Sequence, residues 1–89
     1  MVNKRTKIEI IFDILETIYK NNEVKITFIL HKANLSHPKF KEYSEELFEK
    51  NLIEEVFKKK QKYYKLTEKG IKYYNKLIEI KKFMNIFEF

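Results

Sequence analysis

A chain of 89 residues with a formal charge of +6 and no cysteine has room for one modest core, and excludes disulfides, thiolate zinc sites and cysteine nucleophiles. Its hydrophobic fraction of 44%, with six Tyr and eight Phe, is that of a folded domain and not of a disordered tail. Nineteen Lys and Arg against thirteen Asp and Glu favour polyanionic partners by long-range attraction, or reflect a Lys/Glu-rich surface of the kind heat-adapted proteins use.

No uninterrupted apolar run approaches the roughly 18 residues that span a membrane. Met1 to Arg5 leads into an acid-containing amphipathic segment and not a signal-peptide core, so a cytoplasmic location is expected. A domain this small buries a limited share of its surface, and oligomerisation commonly supplements such cores.

The elements follow in order. From Thr6 to Lys20, Ile8, Ile11, Leu15 and Ile18 trace one helical stripe, with Glu9, Asp13 and Glu16 toward solvent. Asn21-Asn22 suits the helix end, because Asn tolerates the left-handed conformation. Val24 to Ala33 predicts a second, short helix, although Val24 to Phe28 also alternates as a strand would. Asn34-Leu35-Ser36 then makes a three-residue break. Ser36 is a good N-cap for a third helix over 37–50, and Pro38 falls in its first turn, where a missing N–H does no harm. Helix, three-residue turn with an apolar centre, and helix is helix-turn-helix spacing.

After Asn51 the period changes. Leu52 to Phe57 and Lys62 to Leu66 read as strands flanking a polar tip, Lys58-Lys59-Lys60-Gln61, with no Asn-Gly turn signal. Thr67 then caps a long last helix, from Glu68 to about Phe89. Gly70 is the only glycine and Pro38 the only proline, so turns fall largely to Asn.

This is the order of a winged helix, and particular strings support it. Ile8 to Glu16 resembles the opening motif of a family of small archaeal winged-helix proteins. Thr27 to Ser36, Leu47 to Ile53 and Tyr64 to Gly70 are similar to three further motifs of that family, in the same order. The resemblance covers nearly the whole chain. It implies a mainly α, α+β winged helix-turn-helix fold: a three-helix core, a two-stranded wing and a long C-terminal dimerisation helix. The family includes dimeric archaeal chromatin proteins, in which the last helix pairs antiparallel with its partner, and regulators. Asn51 stands where the family usually has Gly, and the second half of the third helix is unusually rich in Glu.

Residues 1–66 are expected to form the winged domain, and 67–89 the dimerisation helix. Three groups of side chains could meet double-stranded DNA. The start of the third helix offers Ser36, His37, Lys39 and Lys41, the part of such a helix that reads base edges. Its other face carries Glu42, Glu45 and Glu49, which favour shallow insertion or, alternatively, docking of a protein. The wing offers Lys58, Lys59, Lys60 and Lys62, with Lys65 nearby. Such a run suits phosphates, although lysines also protect strand edges from aggregation. Lys4, Arg5 and Lys7 form a second acid-free cluster.

In the last helix, Ile71, Tyr74 and Ile78 suit docking on the domain. Tyr73, Leu77, Ile80, Met84 and Phe87 recur at coiled-coil spacing and predict a homodimer interface. An amphipathic membrane-surface helix, with Lys76, Lys81 and Lys82 on its polar face, is the rival reading. The tyrosine pairs are expected to be structural.

His31 and His37 have no thiol or orienting carboxylate nearby in the pattern, and no phosphate loop or nucleophile elbow is present. No enzyme activity, cofactor, metal or small-molecule substrate is expected. The function expected is DNA binding by a homodimer, as a transcription regulator or nucleoid-associated protein. The alternative is a winged-helix protein-interaction module.

Overall fold

The computed structural model describes residues 5–86. Thr6 opens the first helix: its hydroxyl accepts the Glu9 N–H at 3.2 Å, while the Glu9 carboxylate accepts the Thr6 N–H at 2.7 Å. This reciprocal pairing satisfies two of the free amides at a helix start, and it holds the Glu9 carboxyl below the usual glutamate range. Helix α1 (Lys7–Asn21) buries Ile11, Phe12, Ile14, Leu15, Thr17 and Ile18. Ile8, placed in this stripe by its spacing, lies outside it and is 47% exposed.

The strand-like alternation after α1 has a physical basis. Val24 exchanges backbone hydrogen bonds of 3.0 and 2.7 Å with Tyr64, so the chain runs extended there. Helix α2 (Ile26–Lys32) begins only two residues later.

Two turns are closed by Asn in place of Gly. Asn34 has φ 55° and Asn51 φ 63°. In each case the following amide reaches back to a helical carbonyl, Leu35 to Leu30 and Leu52 to Leu47, both at 2.9 Å. That is the Schellman arrangement, whose left-handed residue is ordinarily Gly. Asn51 therefore closes its turn at small cost, where Gly would be the usual choice.

Helix α3 (His37–Glu49) is capped by Ser36, whose Oγ accepts the Lys39 N–H at 3.3 Å. It buries Phe40, Ser44 and Leu47, while Leu35 in the preceding turn packs half-buried against the core.

Strands β1 (Ile53–Lys58) and β2 (Gln61–Leu66) pair antiparallel, in a register running from Ile53–Leu66 to Lys58–Gln61. The tip is thus two residues long, not four: Lys58 and Gln61 belong to the ladder. The turn residues Lys59 and Lys60 have φ of 51° and 65°. Both positive is the pattern of a type I′ hairpin turn, which matches strand twist but normally selects Asn-Gly. Lysine pays a steric cost there that glycine does not.

Helix α4 (Glu68–Ile86) is seated on the joint between α3 and β1. The Thr67 N–H donates to the Leu52 carbonyl at 3.1 Å, and its hydroxyl donates to the Asn51 carbonyl at 2.7 Å. The same hydroxyl accepts the Gly70 N–H at 2.9 Å. Gly70 is buried against this joint, and a Cβ built on it would lie 2.0 Å from the Leu52 carbonyl oxygen. The chain's one glycine therefore serves a close backbone approach, not a turn.

Every element contributes to one core. Ile14, Leu15 and Ile18 meet Ile29, Phe40, Leu47, Leu52, Ile53, Leu66 and Tyr74, each large side chain contributing roughly 1.5–3 kcal/mol. Tyr74 stacks on Phe12 at 5.5 Å and lies 4.8 Å from Tyr19. Tyr64 meets Phe40 edge-on at 5.4 Å. These tyrosines are structural, as expected.

Candidate nucleic-acid interface

The basic side chains of the winged domain divide into two populations, those already paired and those facing solvent alone. The division follows from where each element carries its carboxylates.

At the N-terminus, Arg5 is engaged twice. Its guanidinium donates to Asp13 Oδ2 at 2.6 Å and to the Asn34 carbonyl at 2.9 Å, tying α1 to the turn that precedes α3. Lys7 Nζ lies 2.8 Å from Glu46 on α3. This contact raises the Lys7 pKa and holds the Glu46 carboxyl below the usual glutamate range, with Lys50 assisting from 3.1 Å. Arg5 and Lys7 thus brace the helix-turn-helix. Lys4 lies outside the described residues.

That brace has a pH signature. A carboxylate with a depressed folded pKa contributes stability above its unfolded value, and loses it as pH falls through the folded one. Glu46→Gln is therefore expected to lower the melting temperature at pH 7, with the difference from the parent shrinking as acid titrates the depressed folded carboxyl. A difference that stays constant on acidification would point to lost packing.

At the start of α3, His37, Lys39 and Lys41 are exposed. Lys39 faces Glu42 loosely at 3.8 Å, and among the described residues Lys41 has no ion pair. Ser36 is committed to capping. Glu42, Glu45 and Glu49 are exposed further along the helix, as the spacing predicts, so only the first turns present net positive charge.

On the wing, the outer lysines carry their own counter-ions. Lys58 Nζ meets Glu23 at 2.5 Å and Lys62 Nζ meets Glu55 at 3.3 Å. These hydrogen bonds raise both ammonium pKa values. Lys59 and Lys60, in the turn itself, have no ion pair among the described residues. Lys65 is half-buried.

The lysine run in the sequence therefore reduces to a two-lysine tip with braced shoulders. Glu23 lies 35 positions from Lys58, so no local pattern announces that pairing. Phe57, 70% exposed beside the tip, is a residue the sequence reading passed over as a strand former.

The stripe on α4 is split. Tyr73 and Leu77 are half-buried and pack against the chain's own core. Ile80, Phe83 and Met84 are exposed by 54, 62 and 56%, and Phe87 lies outside the described residues. Lys81, assigned by its spacing to the polar face, folds over the Phe12 ring at 4.5 Å. Between α1 and α4, a groove of about 470 Å³ is lined in part by Ile8, Phe12, Leu77, Ile80 and Met84.

Among the described residues no helix is long and apolar enough to cross a membrane.

The fold is similar to that of Sso10a-2, a DNA-binding protein from Sulfolobus solfataricus, with a TM-score of 0.72 and 24% identity. The match covers 91% of this chain and 86% of that one. An uncharacterized protein of Methanocaldococcus jannaschii is 37% identical over 82 residues, which is 92% of this chain and 79% of its own. Residues 4–85 match the winged helix-turn-helix family as a whole, and the chain belongs to that family.

Proposed function

We propose that this protein binds double-stranded DNA as a homodimer, acting in the cytoplasm as a transcription regulator or nucleoid protein. The observation that carries this reading is the lysine-tipped wing beside a third helix whose first turns are basic and exposed. The DNA-binding character of its structural relative supports it. In this reading residues 1–66 make the contacts and 67–89 join two copies.

Lys59 and Lys60 reach the phosphates directly. Lys58 and Lys62 reach them by exchanging a carboxylate partner for a phosphate. His37, Lys39 and Lys41 enter a groove shallowly, because Glu42, Glu45 and Glu49 repel deeper insertion. Ser36 holds the helix start that presents them. Arg5 and Lys7 serve by fixing the pitch of α3.

Titrating a labelled duplex at several salt concentrations tests this assignment. Each phosphate contact contributes about 0.9 to the slope of log affinity against log salt. Replacing Lys59 and Lys60 with Ala removes four contacts from a dimer that sets down both wings. It is expected to lower that slope by about 3.6 units and to weaken binding on all sequences alike. Arg5→Ala is expected to weaken binding with its slope unchanged. Equal slopes for the parent and the double variant would remove the wing from the interface.

The exposed Glu42, Glu45 and Glu49 favour a second reading, a module that docks a protein. Such a module would wash through heparin and duplex DNA columns at moderate salt, where a DNA-binding chain is retained. Selecting bound fragments from random sequence then separates a site-specific regulator from a nucleoid protein.

A further inference from the structure

We propose that Phe57 is a DNA contact, an aromatic side chain that the wing lays against the sugars and base edges of the minor groove. The inference rests on the DNA-binding reading and adds an apolar component to it.

The hairpin register determines which way Phe57 points. Side chains two residues apart on a strand share a face, so Ile53, Glu55 and Phe57 on β1 share theirs with Leu66, Tyr64 and Lys62 on β2. The inner part of that face is the core: Ile53, Tyr64 and Leu66 are buried, and Tyr64 meets Phe40 and Phe48 of α3. Phe57 continues the same face outward, beyond the last core residue. It therefore lies on the side of the wing that α3 occupies, and it is the most exposed large apolar side chain in the described structure.

An isolated exposed aromatic needs no explanation on most surfaces. Here the surroundings select its partner. Phe57 precedes Lys58, Lys59 and Lys60 and faces Lys62 across the strands. Glu55, next along the same face, holds Lys62 at 3.3 Å, and Lys58 turns to the other face toward Glu23. The ring's cationic neighbours without an ion pair among the described residues are therefore Lys59 and Lys60 of the turn. An aromatic beside them suits a polyanion that also offers apolar edges. Duplex DNA does so in its minor groove, where proteins place apolar side chains beside basic ones. A second copy of this basic wing lacks that complementarity, because like charges would meet around the ring.

The chain contains no Trp, so Phe57→Trp places a single reporter at the site. Its exposure leaves the core untouched, and the variant is expected to fold as the parent does. Adding mixed-sequence duplex is expected to quench the tryptophan emission and shift it to shorter wavelength. Phe57→Ala is expected to weaken binding about tenfold, the scale of losing one large apolar contact, with the salt slope unchanged because no charge is removed.

Emission that stays constant while a fluorescein-labelled duplex is bound overturns the proposal and leaves DNA binding standing. A shift that follows protein concentration without DNA overturns it in favour of burial between copies. Failure of the parent to bind the labelled duplex at low salt removes the DNA-binding reading itself.

Discussion

Gly70→Ala is expected to be the most destabilising single-methyl change available in this chain. The added Cβ would sit 2.0 Å from the Leu52 carbonyl oxygen, 3.0 Å from its carbonyl carbon and 3.4 Å from its Cα. All three are backbone atoms, held by the Schellman turn at Asn51 and by the Thr67 amide, so none can rotate aside as a side-chain tip would. Overpacking of a rigid site costs about 3 kcal/mol. The gain in helix propensity, about 1 kcal/mol, offsets part of it and leaves about 2 kcal/mol, which in a domain of this size lowers the melting temperature by roughly 8–16 °C. Thermal melts of Gly70→Ala and of an exposed control such as Lys72→Ala measure the effect. A Gly70→Ala variant as stable as the parent would mean that α4 can shift on its seat.

The largest effect on binding is expected from Ile80→Glu. Ile80 is more than half exposed, so the substitution spares the monomer fold and its melting profile. Between two copies, however, a symmetric interface brings each substitution in twice, and two carboxylates would face each other in an apolar seam. The parent is expected to sediment as a dimer at tens of micromolar, and the variant as a monomer. Losing the second wing removes its effective concentration, and DNA affinity is expected to fall about 100-fold. A parent that sediments as a monomer at tens of micromolar would rule out the dimer. The exposed stripe of Ile80, Phe83 and Met84 would then favour the membrane-surface alternative.

The elements were legible wherever periodicity and local chemistry agreed. The helices, the Ser36 cap and the Leu35-centred turn all rest on contacts within four or five residues, which spacing alone conveys. The hairpin was legible as two strands, but its tip was not. Two left-handed lysines carry no residue signature, because the strands and not the turn chemistry hold Lys59 and Lys60 at positive φ. The site was less legible than the fold. Charge counting treats Arg5 and Lys59 alike, yet Arg5 meets Asp13 and Asn34 while Lys59 has no ion pair among the described residues. Only the folded chain brings Glu46 to Lys7 or Glu23 to Lys58. The stripe on α4 was legible only as apolar spacing. Tyr73 and Leu77 fit a coiled-coil spacing and are half-buried against the chain's own core, and heptad spacing cannot tell one's own core from a partner's.

The seat of α4 also fixes a phase. Thr67 and Gly70 clamp the root of the helix to the α3–β1 joint, so the direction in which Ile80 and Met84 point is tied to the orientation of the wing. Each residue inserted between root and stripe would advance that stripe by about 1.5 Å and turn it by about 100°. A single insertion would swing the apolar side away from its present bearing, and only about seven residues, close to two full turns, would restore it. Length changes in this helix are therefore expected in whole-heptad steps, like teeth on a gear.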